Sequence, residues 1–448
     1  MTFIAGLLKG PLIYEQDIRM DFDMLGLAPR LIAALAEQGI TEPTPIQSQA
    51  IPHAMNGRDV MGLAQTGSGK TAAFGLPMID ALIKDGGRPV PKGAKALVLA
   101  PTRELAKQIS DNLTAYTQGT HLKVALVVGG AGITGQIRRM ERGVSLLVAT
   151  PGRLIDLLDR RAVTLSETRF LVLDEADQML DMGFIHALRR IAPLLPADKQ
   201  TMLFSATMPK QMEELAAAFL REPVRVQVNP PGQAVARISQ SVHFVAQKAK
   251  ADLLIELLDA HRDERALVFG RTKHGMEKLS KLLESKGFAV ASIHGNKSQG
   301  QRDRAIRDFK EGKVRVLVAT DVAARGLDIP EVRHVYNYEL PNVAENYVHR
   351  IGRTARAGAD GAAIAFCSPE EMGELKDIQK AMKADIPVAS GRPWEVIGAP
   401  KKRSGGGGGQ GRRFGGGAGK GAANAGGRPA AGGGRRRAPG KGRAHQAA

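Results

Sequence analysis

Short apolar runs separated by stretches with helical spacing recur along most of the chain. Between Asp21 and Val228 the runs ALVLA (96–100), KVALVV (123–128), SLLVAT (145–150), FLVLD (170–174) and TMLFSAT (201–207) are apolar almost throughout. A strand exposed on one face would alternate apolar with polar residues, so these runs predict strands buried on both faces. Each is followed by a helical pattern. Such alternation predicts a parallel sheet with right-handed crossovers and helices on both sides. The rhythm breaks at NPPGQAVA (229–236), where two prolines and a glycine suit neither a helix nor a central strand. It restarts with SQSVHFV (239–245), RALVFG (265–270), FAVASIHG (288–295), VRVLVAT (314–320), HVYNYE (334–339) and GAAIAFC (361–367). The pattern predicts an α/β fold with two tandem parallel-sheet domains, 21–228 and 237–397. An extension at 1–20 precedes them and a linker at 229–236 joins them.

Composition adds a third region. Residues 401–448 hold 18 glycines and 12 Lys or Arg, without a single Asp or Glu. Such a segment cannot bury enough apolar surface to offset its ordering entropy, so 398–448 is expected to be a disordered, basic Gly/Arg-rich tail. It supplies 12 of the chain's net +18 charges. That balance points to a polyanionic partner, nucleic acid or an acidic membrane surface. RRFGGG (412–417) and RRR (435–437) favour a phosphate-gripping tether over a merely solubilising tail. The single cysteine, Cys367, excludes an internal disulfide and a cysteine metal cage, and fits a reducing compartment. No apolar run approaches the ~20 residues of a membrane span. MTFIAGLLKG lacks the basic start and cleavage site of a signal peptide. The expected compartment is the cytoplasm, with no membrane partner.

The strongest local chemistry is AQTGSGKT, comprising Ala64, Gln65, Thr66, Gly67, Ser68, Gly69, Lys70 and Thr71, with a helix expected to begin near Thr71. A glycine-rich loop lets consecutive backbone N–H groups wrap a phosphate chain. Lys70 would reach the β- and γ-phosphates, and the Thr71 hydroxyl would ligate Mg²⁺. The general P-loop begins with Gly where this one has Ala64. FLVLDEADQML then places Asp174 and Glu175 at the end of a buried strand, where open α/β sheets carry their chemistry. Asp174 can hold Mg²⁺ through water, and Glu175 can orient or deprotonate an attacking water.

DEAD (174–177), AQTGSGKT, SAT (205–207) and HRIGRTARAG (349–358) together resemble the DEAD-box RNA helicases, from about Phe22 to about Pro369. LDMGFIHALRRI and NYELPNVAENYVHRIGRTARAG are similar to the bacterial RhlE-like subgroup. The resemblance implies two RecA-like domains, ATP as substrate and RNA as partner. TEPTPIQ (41–47), with Phe22 upstream, matches the family's Q motif, so Gln47 is implied to read adenine. The family commonly has an aromatic residue where Ile40 stands. Arg353 is implied as an arginine finger, Arg356 as a second γ-phosphate contact and Asp328, in ARGLDIP (324–330), as the ribose contact. Ser205, Thr207, His349 and Arg350 are implied to couple the domains. Ala355 stands where the family usually has Gly.

Several loops that follow apolar strands are candidates for an RNA track, since such loops offer N–H groups, hydroxyls and arginines to phosphates. In the first domain these are Pro101, Thr102 and Arg103, Gly129 and Gly130, and Thr150, Gly152 and Arg153. In the second they are Arg271, Gln299, Arg302, Thr320 and Asp321. Their assignment rests chiefly on alignment with the family's RNA-contacting motifs. The expected activity is ATP-dependent, nonprocessive unwinding of short RNA duplexes or remodelling of RNA–protein complexes. The alternative is an ATP-gated RNA clamp or a chaperone acting through the tail. Expected partners are RNA single strands and short duplexes, within ribosomal or RNA-decay complexes, bound by a monomer.

Overall fold

The structure, a computed structural model, describes residues 21–65, 67–228, 238–324, 332–355 and 360–394. The expected N-terminal extension, linker and tail therefore lie outside the described residues.

Two seven-stranded sheets organise the chain. The first contains β1 (Val60–Leu63), β2 (Ala94–Leu99), β3 (Val124–Val127), β4 (Val144–Ala149), β5 (Phe170–Leu173), β6 (Gln200–Ser205) and β7 (Val224–Gln227). Its order is β3-β4-β2-β5-β6-β1-β7, with every pairing parallel. The second contains β8 (Ile238–Phe244), β9 (Arg265–Gly270), β10 (Val290–Ile293), β11 (Val316–Thr320), β12 (Val332–Asn337), β13 (Gly361–Cys367) and β14 (Val388–Ser390). Its order is β10-β11-β9-β12-β13-β8-β14, again parallel throughout. These are two α/β, RecA-like sheets in tandem.

The continuous apolar runs are explained by burial on both faces. Successive side chains of a strand point to opposite sides. Val98 and Val172 therefore pack with Leu31, Ile46 and Phe74 on one side of the first sheet. Leu97, Leu99, Leu171 and Leu173 pack with Met179 and Met212 on the other. In the second sheet Leu267, Phe269 and Leu317 share one cluster with Phe309. Val268, Val316 and Val318 share the opposite cluster with Leu283 and Phe366. Among the described residues no helix is long and apolar enough to cross a membrane.

Two strands of the first sheet and one of the second were absent from the sequence pattern: β1, β7 and β14. β1 is only VMGL, and the glycine inside it reads as a break. Gly62 sits there because the Phe204 ring fills the space a Cβ would need, 2.5 Å away. β14 is a short edge strand with all three residues exposed, so nothing selects an apolar run.

Candidate active site and RNA track

The phosphate loop leaves β1 at Leu63 and enters the helix Lys70–Asp85 one residue before the expected start. Its first residue is tied down: the Ala64 N–H donates to Ser205 O at 3.0 Å, joining it to SAT. Ser68 Oγ donates to Gln65 O at 2.8 Å, closing the loop on itself. Thr66 lies outside the described residues. Lys70 is 6% exposed, with Nζ 3.3 Å from Ala64 O and 3.6 Å from Asp174 Oδ1.

The helix Pro45–Met55 braces this loop. Thr44 and Gln47 form a capping box at its start, with Thr44 N donating to Gln47 Oε1 at 2.9 Å. Thr44 Oγ1 then donates to Ser68 O at 2.8 Å, and Gln47 Nε2 donates to Gly69 O at 3.0 Å. Gly69 is required on two counts: its φ is +90°, and a Cβ there would run into the Gln47 amide. Gln47, implied to read adenine, thus also braces the phosphate loop. Each end of its amide is used once, leaving one N–H and one lone pair for a base. Phe22 is likewise 3% exposed and sits in the core beside Ile46, with Ile40 packed against the same cluster.

Asp174 follows β5, and its Oδ1 accepts the Glu175 N–H at 2.9 Å. Glu175 takes a left-handed backbone, φ +51°, which aims its carboxylate inward. It is 2% exposed, and among the described residues neither of its oxygens has a hydrogen-bond partner. Burial raises the carboxyl to about 7 against the pull of Lys70; Asp174 raises it further, while Arg353 pulls it down. Burial also raises Asp174, again opposed by Lys70. Two buried carboxylates faced by one lysine, with orphaned oxygens, suit a hydrated hard cation and a bound water.

Asp177, to which the sequence assigned no separate role, is the hub of the site. Its Oδ2 accepts from Ala206 N at 3.1 Å, Thr207 N at 3.0 Å and Thr207 Oγ1 at 3.0 Å. His349 Nε2, from the second domain, lies 3.9 Å from the same oxygen. Ser205 Oγ donates to Thr207 O at 2.7 Å, closing SAT on itself, while the Asp177 bonds hold it against DEAD. The fourth letter of DEAD was the available signal, but its partners lie 30 residues and a domain away.

Arg353 follows the helix Ala344–Ile351, is 4% exposed, and donates Nε to His349 O at 3.3 Å. Arg356 and Asp328 lie outside the described residues. Arg350 takes a different place from the expected coupling role. It binds Asp321 with both Nε, at 2.5 Å, and a terminal nitrogen, at 2.8 Å. It also donates to Asn337 and to Glu339 O, at 3.1 and 2.6 Å, and is 2% exposed. Its guanidinium is therefore a buried staple inside the second domain, and it occupies the Asp321 carboxylate expected on the RNA track.

The RNA candidates of the two domains meet. Arg103 donates to Gln299 Oε1 at 3.1 Å, and Gln299 Nε2 donates to Glu104 Oε1 at 3.0 Å. Arg302 lies 3.0 Å from that same Glu104 oxygen. Glu104, missed in the sequence although it stands in PTRELA, anchors this contact. Thr102 caps the helix Arg103–Tyr116 by accepting from Leu105 N at 3.2 Å, and Thr150 starts the helix Pro151–Asp159. Pro101 and Gly152 lie around these starts. Arg153 donates to Ala131 O at 3.0 Å. Thr320 ends β11 at 9% exposure. Arg271, a candidate for the RNA track, is held by Asn342 at 2.8 Å and by Glu371 and Glu374 at 3.1 Å each.

The Arg103 guanidinium lies across Gly129 and Gly130, and a Cβ on Gly130 would overlap it. Gly130 also has φ +76°. Gly130→Ala is expected to displace Arg103 and weaken RNA binding about tenfold, equivalent to ~1.4 kcal/mol. The ATPase rate without RNA should not change. Fluorescence anisotropy with labelled RNA checks this; unchanged affinity would remove Gly130 and Arg103 from the track.

The sequence matches the DEAD/DEAH box helicase family over residues 44–215 and the helicase conserved C-terminal domain over 249–358. It is 44% identical over 382 residues to the ATP-dependent RNA helicase CshA of Listeria monocytogenes, covering 85% of this chain and 72% of that protein. The chain belongs to the DEAD-box ATP-dependent RNA helicases. A DEAD-box ATP-dependent RNA helicase CshA of Bacillus cereus is 45% identical over 364 residues, covering 81% of the helicase described here and 68% of the relative. Among solved structures, S. cerevisiae Dbp5 bound to RNA and ADP BeF3 is similar at a TM-score of 0.73. It is 33% identical, covering 83% of this chain and 95% of that one.

Proposed function

We propose that this helicase binds ATP and RNA together, closes its two domains over one strand, and so separates short duplexes or remodels RNA–protein complexes without sustained translocation. The observation that carries the reading is the junction of Asp177, Thr207 and His349 beside Glu175 and Arg353, because it makes the hydrolytic site complete only across both domains. Lys70 binds the β- and γ-phosphates, Gln47 uses its remaining N–H and lone pair on adenine, and Asp328 and Arg356 complete the ribose and γ-phosphate contacts. Glu175, poised near neutrality, holds the attacking water and accepts its proton. Thr71 and, through water, Asp174 would hold Mg²⁺, which when bound neutralises phosphate charge.

RNA lies along Thr102, Arg103, Gly129, Gly130, Arg153, Gln299, Arg302 and Thr320, held by its backbone and so largely independent of sequence. The names of the relatives favour an enzyme over a passive clamp or chaperone. The RhlE-like placement rests on LDMGFIHALRRI and the 337–358 segment, whereas the relatives above carry the name CshA. We place the helicase in the cytoplasm, as a monomer acting on ribosomal or decaying RNA. RNA, but not DNA of the same sequence, is expected to stimulate ATP hydrolysis; equal stimulation by both would overturn the RNA reading.

The tail is read as a tether. Removing residues 401–448 deletes 12 basic side chains. The truncated helicase is expected to keep its ATPase rate at saturating RNA but to bind RNA less tightly. The slope of log affinity against log salt should flatten by roughly 0.7–0.9 for each phosphate that the tail neutralises in the full-length protein. An unchanged slope, measured by RNA binding from low to high salt, would remove the tether.

A further inference from the structure

Two histidines and a glutamate converge at the end of the second sheet away from the nucleotide. His261 and Glu264 lie in the loop between the helix Lys250–Asp259 and β9, and His334 lies on β12. Glu264 Oε2 is hydrogen-bonded to His334 Nε2 and lies 3.7 Å from His261 Nδ1. The three ligand atoms all fall within 4.8 Å of one another. The two imidazoles stack with centroids 4.3 Å apart and 26° between their planes. We propose that His261, Glu264 and His334 bind a divalent cation of the zinc class.

The donor set selects the ion. Two imidazole nitrogens and one carboxylate oxygen make a familiar three-ligand set for zinc, with one position left for water. Hard ions such as Mg²⁺ and Ca²⁺ want oxygen ligands and gain little from imidazole. The spacing is near what is needed, since bonds of ~2.0–2.1 Å in a tetrahedral centre place neighbouring ligand atoms roughly 3.3 Å apart, but the exposed His261 ring must turn out of its stack for both lone pairs to meet one ion. His261 and Glu264 are near that separation already. His334 and Glu264 are closer because a proton lies between them. A bound cation takes the place of that proton, which a neutral ring carries on its other nitrogen instead, and acid weakens binding by protonating the imidazoles.

The surroundings hold the carboxylate in place. The Glu264 N–H donates to His261 O at 3.0 Å, closing the turn that presents both side chains. Arg333 Nε lies 3.8 Å from Glu264 Oε1, the oxygen not shared with His334. Its positive charge keeps the affinity modest, while its position keeps Oε2 toward the histidines. Arg350 engages Asn337 at the far end of β12, so the cation would not take part in hydrolysis. It would clip the 260–264 loop to β12 and stabilise the second domain.

The test uses tag-free, full-length protein, stripped with a chelator and kept in Mg²⁺ buffer, titrated with Zn²⁺ by calorimetry. His261→Ala is the main variant, since that side chain is 46% exposed and its loss leaves the core untouched. Glu264→Gln is the second. Each is expected to lose one equivalent of bound zinc relative to the parent. Zn²⁺ is expected to raise the thermal midpoint read from Trp394 fluorescence in the parent but in neither variant. If both variants bind as many equivalents as the parent with the same affinity, or the parent's midpoint does not move with zinc, the site is overturned.

Discussion

Arg353→Ala is expected to slow RNA-stimulated ATP hydrolysis by roughly 10³–10⁵, the range over which an arginine finger acts. The expectation follows from where the guanidinium is held. Arg353 leaves the last turn of the helix Ala344–Ile351, is bound to His349 O, and is 4% exposed. Its charge bears on Glu175, a first-domain carboxylate that burial raises to about 7. A cation held there by the second domain favours the ionised carboxylate and can meet charge developing on the γ-phosphate. The first domain's own lysine, Lys70, remains in the variant, so nucleotide binding should change far less than the rate. Arg353→Lys should recover little, because an ammonium cannot fork onto two oxygens. Single-turnover hydrolysis at saturating ATP and RNA, with binding of a fluorescent ATP analogue as control, separates the two effects. A loss below tenfold in rate would remove Arg353 from the transition state.

A sequence carries some of this site locally and hides the rest. The P-loop and DEAD are readable because their chemistry sits on consecutive residues. Central strands such as β2, β4 and β11 are readable because both faces are buried, so the whole run is apolar. β1 is hidden by Gly62, whose reason is the Phe204 ring of a neighbouring strand. Asp177 and Glu104 act through partners 29 to 198 positions away, and no local pattern marks such pairs. Arginines are the hardest case. Arg103, Arg271 and Arg350 look alike in sequence, each standing within a motif, although Arg103 opens a helix, Arg271 follows β9 and Arg350 lies inside the helix Ala344–Ile351. Only the fold shows that Arg103 reaches across to Gln299 while Arg350 is sealed against Asp321. Threonines behave similarly, since Thr102 is a helix cap as well as an RNA candidate, and an N-cap of this kind is worth ~1 kcal/mol.

Arg271 leads to the second large effect, which is on stability. It is one of two cations on Glu371; the other is Lys250, and the Lys250–Glu371 pair is at most 1% exposed. Lys250 Nζ donates to the Glu371 carboxylate, to Tyr338 O at 2.9 Å and to Phe366 O at 3.2 Å, using all three of its protons. Glu371 also accepts from Leu340 N at 3.1 Å and Ser368 N at 3.0 Å. Lys250→Met keeps the bulk of the side chain but leaves the buried carboxylate with Arg271 as its one remaining cation and strands two carbonyls. Breaking a buried pair this way costs about 3–5 kcal/mol, a large part of a domain's ~5–15 kcal/mol. Glu371→Gln should cost less, because the amide oxygen still accepts while the charge to be solvated is gone. Replacing both residues with apolar ones should not restore stability, since Leu340 N and Ser368 N would lose their acceptor and Arg271 one of its carboxylates. The only tryptophan makes the measurement specific: Trp394 packs on the second domain's core and donates to Cys367 O at 3.2 Å. Urea unfolding followed by its fluorescence should show the second domain's transition moving to lower urea in Lys250→Met, with the first domain's far-ultraviolet signal unmoved. A shift worth less than ~1 kcal/mol would place the pair with exposed ion pairs, which contribute little.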